Sequence, residues 1–341
     1  MSHLPVYASD KWTYNGIRTL VMESAGLRVE ILLDLGATIS TIKHKKSDIN
    51  LLYRHHKDFR PFASVLDNFP REDSLHTYFG GGYFEALPNA GYTSLQANGV
   101  KQGLHGELPF IPFDCQIVDH DDAVEAVLSS NFYRYPFKLQ KRITLSANDP
   151  QKLLINEKLT NNSPLGIQYS WLHHPTFGAP FISEDVVIDV PAEGIMVHEF
   201  GNIVPDSSLE SGYKGKWPFA RRKDGKMEDL TRYPKSGTQN TVDVVYLPSI
   251  KEPYYSIFNK RLNLGINFHW DSEMFPHIWY WRPIGGGKGD PWFGTIYALS
   301  LEIASSYPAS GLDDQVANKT AKTIQGRSSI ETSVSLEVFE K

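Results

Sequence analysis

Apolar and polar residues alternate with a period of two along most of this chain. Leu27-Arg28-Val29-Glu30-Ile31-Leu32-Leu33 begins as such an alternation and closes at Gly36, and residues 38–43 repeat it. Runs of the same kind cover 116–118, 123–129, 137–146, 153–159, 166–172 and 186–190. They continue over 242–247, 254–259, 264–270, 277–281, 294–303 and 328–339. Period two places successive side chains on opposite faces of an extended strand, so each run predicts a strand. Turn-forming clusters such as Asn148-Asp149-Pro150 and Asn161-Asn162-Ser163-Pro164 punctuate them. Helical periodicity over ten or more residues is almost absent, with short helical turns expected only near 54–59 and 207–212. The polar, glycine-punctuated segment 212–241 reads as a long surface excursion. Many short strands with frequent turns predict an all-β fold, a large antiparallel β-sandwich or barrel. Neither a linker nor a fixed-period repeat interrupts the pattern, so one domain over residues 1–341 is expected.

Composition narrows the class without changing that picture. The 341 residues carry a formal net charge of -5 with both signs interspersed, which argues against nucleic acid or an anionic membrane as partner. No run approaches the roughly 18 consecutive apolar residues of a membrane span. The single cysteine, Cys115, excludes an internal disulfide and a cysteine-built metal cluster. The first residues lack the basic start and apolar core of a secretory signal, so a cytoplasmic protein is expected.

Candidate chemistry comes from one carboxylate and a few histidines. Glu302 sits inside the otherwise apolar and small run Thr295-Ile296-Tyr297-Ala298-Leu299-Ser300-Leu301-Glu302-Ile303. His105 stands in Gly103-Leu104-His105-Gly106, and His173 and His174 precede Pro175-Thr176-Phe177-Gly178. A carboxyl in apolar surroundings has a raised pKa and histidine starts near neutrality, so together they make an acid–base pair for work around pH 7. Alternation alone leaves open whether Glu302 faces a site or solvent, because Leu301 and Ile303 take the other face. His173 and His174 point to opposite faces of an extended segment, so one of them enters a site and the other packs. His55 and His56 lie in a polar stretch and are expected in solvent, and His76, ahead of the glycine-rich segment, either lines a groove or, the expected case, sits on a surface loop.

Gly80-Gly81-Gly82 is not a phosphate loop, since no helix pattern or Lys-Ser/Thr follows. Gly285-Gly286-Gly287-Lys288-Gly289-Asp290 is a candidate loop near the site, or a plain connection. Trp279, Trp281 and Trp292 offer flat apolar faces to a ligand ring, and Arg282 either reads a hydroxyl or anion or forms a surface ion pair.

Read in order, these motifs resemble the aldose 1-epimerase (galactose mutarotase-like) superfamily. Leu33-Asp34-Leu35-Gly36-Ala37-Thr38-Ile39, followed by Asn50-Leu51-Leu52-Tyr53, looks like its opening hairpin. The segment from Gly80 to Gly91 is similar to a glycine-rich stretch ending in a Pro88-Asn89 pair. Leu104-His105-Gly106-Glu107 resembles its His-Gly motif, and residues 156–163 its strand and turn before the second histidine. His174-Pro175-Thr176-Phe177 resembles its His-Pro-x-Phe element, and Leu301-Glu302 the strand bearing its base.

The resemblance implies a β-sandwich with a carbohydrate site in an open groove. Glu302 would take the proton of an anomeric hydroxyl, His174 would give one to the ring oxygen, and His105 would assist. Asn89 would contact substrate. Ring opening, rotation and closure would interconvert the α and β anomers. Only protons move, so no metal and no redox cofactor is needed. The expected partner is a small-molecule carbohydrate, with the protein a monomer or homodimer. Glu85 and Leu87 stand where the family usually has an arginine, so the resemblance does not give the sugar, and Glu85 itself becomes a candidate substrate contact beside Trp281, Arg282 and Trp292. Arg71, Arg282 and Lys288 remain open as readers of an anionic group.

Three other readings compete. A non-catalytic carbohydrate-binding protein on the same fold would bind sugar without turnover. A metal-dependent sugar isomerase would use His105, His174 and Glu302 as ligands. A glycoside hydrolase would need a second carboxylate, for which Glu85 and Glu107 are the weak candidates.

Overall fold

The structure is a computed structural model, and it describes residues 6–61, 75–76, 79–199, 204–248, 250 and 252–341. Two large antiparallel sheets pack face to face. The larger has twelve strands. Its path runs from Tyr7–Tyr14 through Ile17–Glu23, Leu27–Leu32, Thr38–His44 and Tyr83–Ala86 to Leu172–Gly178. It continues through Ala298–Ala304, His277–Ile284, Thr241–Leu247 and Gly194–Val197 to Lys214–Lys216, with Ile49–Asn50 paired to Thr38–His44. The second sheet has eight strands, among them Ser329–Phe339 beside Lys152–Asn161 and then Phe137–Ser146. The fold class is therefore the large antiparallel β-sandwich that the alternation predicts.

Alternate residues of facing strands fill the space between the sheets. Phe177, Tyr280, Leu299, Leu301 and Ile303 from the larger sheet meet Ile143, Ile155, Leu159, Phe268 and Leu336 from the smaller in one continuous core. Burying such a side chain contributes about 1.5–3 kcal/mol. Strand bounds follow the sequence pattern closely where one face is polar, as in Phe137–Ser146, Tyr254–Asn259 and Leu264–Trp270.

Departures occur where that pattern is weak. The strand Leu172–Gly178 extends past the predicted 172 through Pro175, because residues 172–178 are buried on both faces and show no alternation. The first two strands, Tyr7–Tyr14 and Ile17–Glu23, and the short Tyr83–Ala86 were not predicted either: Tyr7–Tyr14 is exposed or half-buried throughout, whereas the other two are largely buried on both faces. The excursion 212–241 contains three short strands, Lys214–Lys216, Phe219–Arg221 and Met227–Asp229. The helical turns expected near 54–59 and 207–212 are turns and coil, whereas a six-residue helix forms at Leu312–Ala317. Among the described residues no helix is long and apolar enough to cross a membrane.

Candidate active site

Five neighbouring strands of the larger sheet, from Tyr83–Ala86 to Thr241–Leu247, present their outer face to covering loops instead of to solvent. Alternation then sorts every residue on them. Phe84, His174, Glu302, Trp279, Trp281, Val242 and Val244 point outward and line a cavity of about 390 Å³. Their immediate neighbours Glu85, His173, Ile303, Tyr280, Arg282, Asp243 and Val245 turn inward to the core side. Loop residues complete the walls: His76, Tyr92, Leu104, His105, Val204, Asp206, Gly287, Lys288 and Trp292.

At the cavity floor His174 Nε2 lies 3.2 Å from Glu302 Oε1. Both residues are nearly fully buried. Ser300 Oγ donates to the Pro175 carbonyl at 2.7 Å, which leaves its lone pairs free to accept from His174 Nδ1 at 3.4 Å. Thr176 Oγ1 lies 3.0 Å from the same nitrogen. These neighbours favour the proton on His174 Nδ1, with Nε2 free to accept from Glu302. Burial raises the Glu302 carboxyl well above its ordinary value, against a smaller opposing effect of Ser300. Burial, and then His105, lowers His174 well below its own. Both shifts favour the neutral pair, a carboxylic acid bonded to an imidazole. An ionised glutamate beside a protonated histidine is disfavoured because a dry aromatic wall solvates neither charge. Phe84 stacks on the His174 ring at 4.6 Å between centroids, and Trp281 meets it edge-on at 5.5 Å.

His105 is built into the wall by its backbone. Its φ is +62°, a left-handed conformation that costs a non-glycine residue about 1–3 kcal/mol. Gly106, at φ +71°, follows, and a Cβ there would come within 2.6 Å of the Leu87 carbonyl oxygen. His105 Nδ1 lies 2.6 Å from the Ala90 carbonyl and must donate to it, so Nε2 keeps its lone pair. Burial pulls this imidazole down to about 4. It is therefore neutral at pH 7 and suited to accept from a ligand hydroxyl.

Depressed histidines make the fold sensitive to acid. His105 and His277 are each lowered to about 4 by burial, from an ordinary 6.5. The stability they contribute is fully present above about pH 6.5 and is lost as pH falls through about 4, because the unfolded chain takes up the proton first. Thermal melts at stepped pH should show the midpoint falling across this window, and His277→Gln should make that fall shallower. An unchanged slope in the variant would show that His277 is not protonated on unfolding.

Asn89, Glu85 and Arg282 do not line this cavity. Asn89 is fully buried in a turn, where its Nδ2 donates to the carbonyls of Gly91, Tyr92 and Gly103 and its Oδ1 accepts from the Leu312 N–H. It ties together the loops that carry Tyr92 and His105. Glu85 accepts from Lys141 Nζ and from Trp171 Nε1 in the core between the sheets. Arg282 is buried on that same inner side, its Nη2 donating to Glu228 at 2.6 Å and its Nη1 to Asp243 at 3.3 Å. The physical reason is common to Glu85 and Arg282: strand neighbours of Phe84 and Trp281 must face the other way.

Trp279, Trp281 and Trp292 all reach the cavity, with Trp281 and Trp292 meeting at 5.6 Å between ring centroids. The loop bearing Gly287 and Lys288 is on its wall, anchored where Asp206 accepts from the Gly287 N–H at 3.0 Å. His76 also lines it, and His55, expected in solvent, is buried edge-on to Trp292. Arg71 lies outside the described residues. Gly81 holds φ +93° against the Tyr53 carbonyl, so the glycine run serves close backbone approach. Phe84, Tyr92, Val204 and Asp206 were missed, since each stands in a segment without clear periodicity.

Glu107, the other weak partner for a hydrolase, accepts from the Tyr133 and Arg134 N–H groups away from the cavity. Among the described residues, the cluster of histidine and carboxylate groups close enough to hold a metal ion is Glu85, Glu157 and His173, on the core side. There the Lys141 ammonium already meets Glu85, and His105, His174 and Glu302 are not gathered in that way.

Residues 14–338 match the model of a family described as a domain of unknown function, DUF4432. The chain belongs to the DUF4432 family. No curated protein matches it in sequence. Solved structures do match in fold. A galactose mutarotase-like protein from Clostridium acetobutylicum is 13% identical, with 99% of each chain covered and a TM-score of 0.69. A candidate aldose 1-epimerase from Klebsiella pneumoniae is 14% identical, covering 98% of this chain and 83% of that one, with a TM-score of 0.71. A galactose mutarotase related enzyme from Lactobacillus acidophilus is 14% identical, covering 94% and 97%, with a TM-score of 0.61. At such identities the likeness concerns the fold alone, which this DUF4432 chain shares with galactose mutarotase-like proteins.

Proposed function

We propose that this DUF4432 protein interconverts the α and β anomers of a sugar by acid–base ring opening and closure. The observation that carries the reading is the Glu302–His174 pair, 3.2 Å apart at the bottom of an aromatic-walled cavity. Such a pair holds one transferable proton between two groups of opposite tendency. Proton transfer from Glu302 to His174 gives a carboxylate base and an imidazolium acid without proton uptake from solvent. Glu302 then removes the anomeric hydroxyl proton while His174 protonates the ring oxygen, and the ring opens to the free aldehyde. Rotation about the adjacent bond and closure on the other face return both protons. His105 Nε2 accepts from a neighbouring hydroxyl and holds the ring in place. Trp281 and Trp292 supply the apolar faces on which a sugar ring packs. The fold shared with galactose mutarotase-like proteins supports the same reading at the level of architecture.

A binding-only role is the second reading, favoured by the neutral resting state of the pair. NMR exchange between anomers across a panel of aldoses, uronates and phosphosugars separates the two. Exchange above the spontaneous rate at enzyme far below sugar supports the epimerase. Binding without exchange for every sugar bound would leave only the binding role.

A further inference from the structure

A second cavity, of about 630 Å³, opens beside the first on the same face of the larger sheet. The strand Thr241–Leu247 runs beneath both: Val242 and Val244 line the first, and Tyr246 lines the second. Two residues along a strand span about 7 Å. The partition is thin. Tyr246 Oη accepts from the Ala309 N–H at 2.8 Å, and Ala309 itself lines the first cavity while Pro308 and Ser310 line the second.

His198 lines the second cavity and is 3% exposed, and among the described residues its Nε2 has no hydrogen-bond partner. Its Nδ1 lies 2.6 Å from Tyr246 Oη. That oxygen already accepts from Ala309, so its own proton goes to His198 Nδ1, and the histidine proton is placed on Nε2. A buried donor without an acceptor costs about 1–3 kcal/mol, which a ligand oxygen would recover.

The remaining walls fit one ligand class. Tyr307 and Pro308 form an apolar flank, with the Tyr307 ring 5.7 Å from that of Tyr246. The rim bears exposed Glu199 and Asp314 as acceptors and exposed Lys214 as donor. Mixed donors and acceptors around an aromatic flank match hydroxyl groups on a ring, and the mixed sign of charge gives no preference for a strongly ionic group.

We infer that the second cavity is a subsite for the second ring of a reducing disaccharide whose anomeric carbon lies against Glu302 in the first cavity. The inference rests on the proposed epimerase reading for the orientation of that disaccharide. Its test is calorimetric binding, which does not need turnover. Maltose, cellobiose and lactose are compared with glucose, and β-1,4-galactobiose with galactose, in the wild type, in His198→Ala, and in a Glu199→Gln/Asp314→Asn double variant. The rim pair is exposed, so that variant tests the subsite without disturbing the core.

At least one disaccharide should bind the wild type about tenfold or more tightly than its reducing-end monosaccharide, and this ratio should fall toward one in both variants. No disaccharide preference, or a ratio that survives both variants, overturns the subsite. Monosaccharide exchange without disaccharide preference removes the subsite and leaves the epimerase. Disaccharide preference without anomer exchange leaves a two-ring binding site and removes the epimerase.

Discussion

Glu302→Gln should lower catalysed anomer exchange by a factor of about 10²–10⁴, the usual contribution of a positioned acid–base group. Glutamine keeps the shape of the side chain and can still hydrogen-bond to His174, but it cannot take up or release a proton. Burial favours the neutral form of the carboxyl it replaces, so the substitution changes little of the folded-state charge. The melting temperature and sugar affinity of the variant should therefore stay close to wild type while turnover collapses. NMR exchange on a sugar that the wild type accelerates, with calorimetry on the same sugar, checks both halves. Retained turnover would remove Glu302 from the chemistry, and lost binding would make it a structural or recognition group.

The largest effect on stability is expected from Lys141→Met, about 3–5 kcal/mol destabilising, because it leaves a buried carboxylate without its cation. Lys141 is nearly fully buried, meets Glu85, and has Nζ 3.7 Å from Glu157 Oε1. Burial pushes the Glu85 carboxyl upward, but the Lys141 ammonium and then His173 outweigh it and hold it down at about 2. Burial, followed by the Glu85 carboxylate, pushes Glu157 up to about 7. Glu85 thus contributes stability that is present above its ordinary 4.5 and is lost as pH falls through about 2. Glu157 contributes in the opposite sense: its stability is present below 4.5 and is lost as pH rises through about 7.

In Lys141→Met the carboxylates lose their stabilising charge, so the deficit should be largest near pH 8 and shrink toward pH 5 as they protonate. Urea denaturation at the two pH values measures it, and adding Glu85→Gln should recover part of the loss. A deficit that does not change with pH would mean that Lys141 acts through packing. The cluster lies directly behind the site, since His173, which bonds to Tyr83 Oη at 2.7 Å, precedes His174 on the same strand. A reduced exchange rate in a folded Lys141 variant would reflect displacement of that strand.

Period two by itself determined the sheets, because a strand at an interface must carry its apolar residues on one side. The runs at 137–146, 254–259 and 264–270 coincide with strands for that reason. The same rule, applied to Trp281 and Arg282 as to His173 and His174, separates a cavity residue from a core residue. It is the rule that takes Glu85 and Arg282 out of the site.

What alternation cannot supply is the nature of each face. Glu302 does point away from Leu301 and Ile303, yet that outer face is covered by loop residues 75–76, 92, 104–105, 204–206 and 287–292, distant in sequence and joined only in the fold. Covering it turns an outward-facing glutamate into a buried acid and a neutral-range histidine into a depressed one. The chain by itself determined a large antiparallel β-sandwich and the residue types available for proton transfer. The tertiary structure alone decided which of them meet, because desolvation and contact are properties of packed neighbours and are not written in the order of residues along one strand.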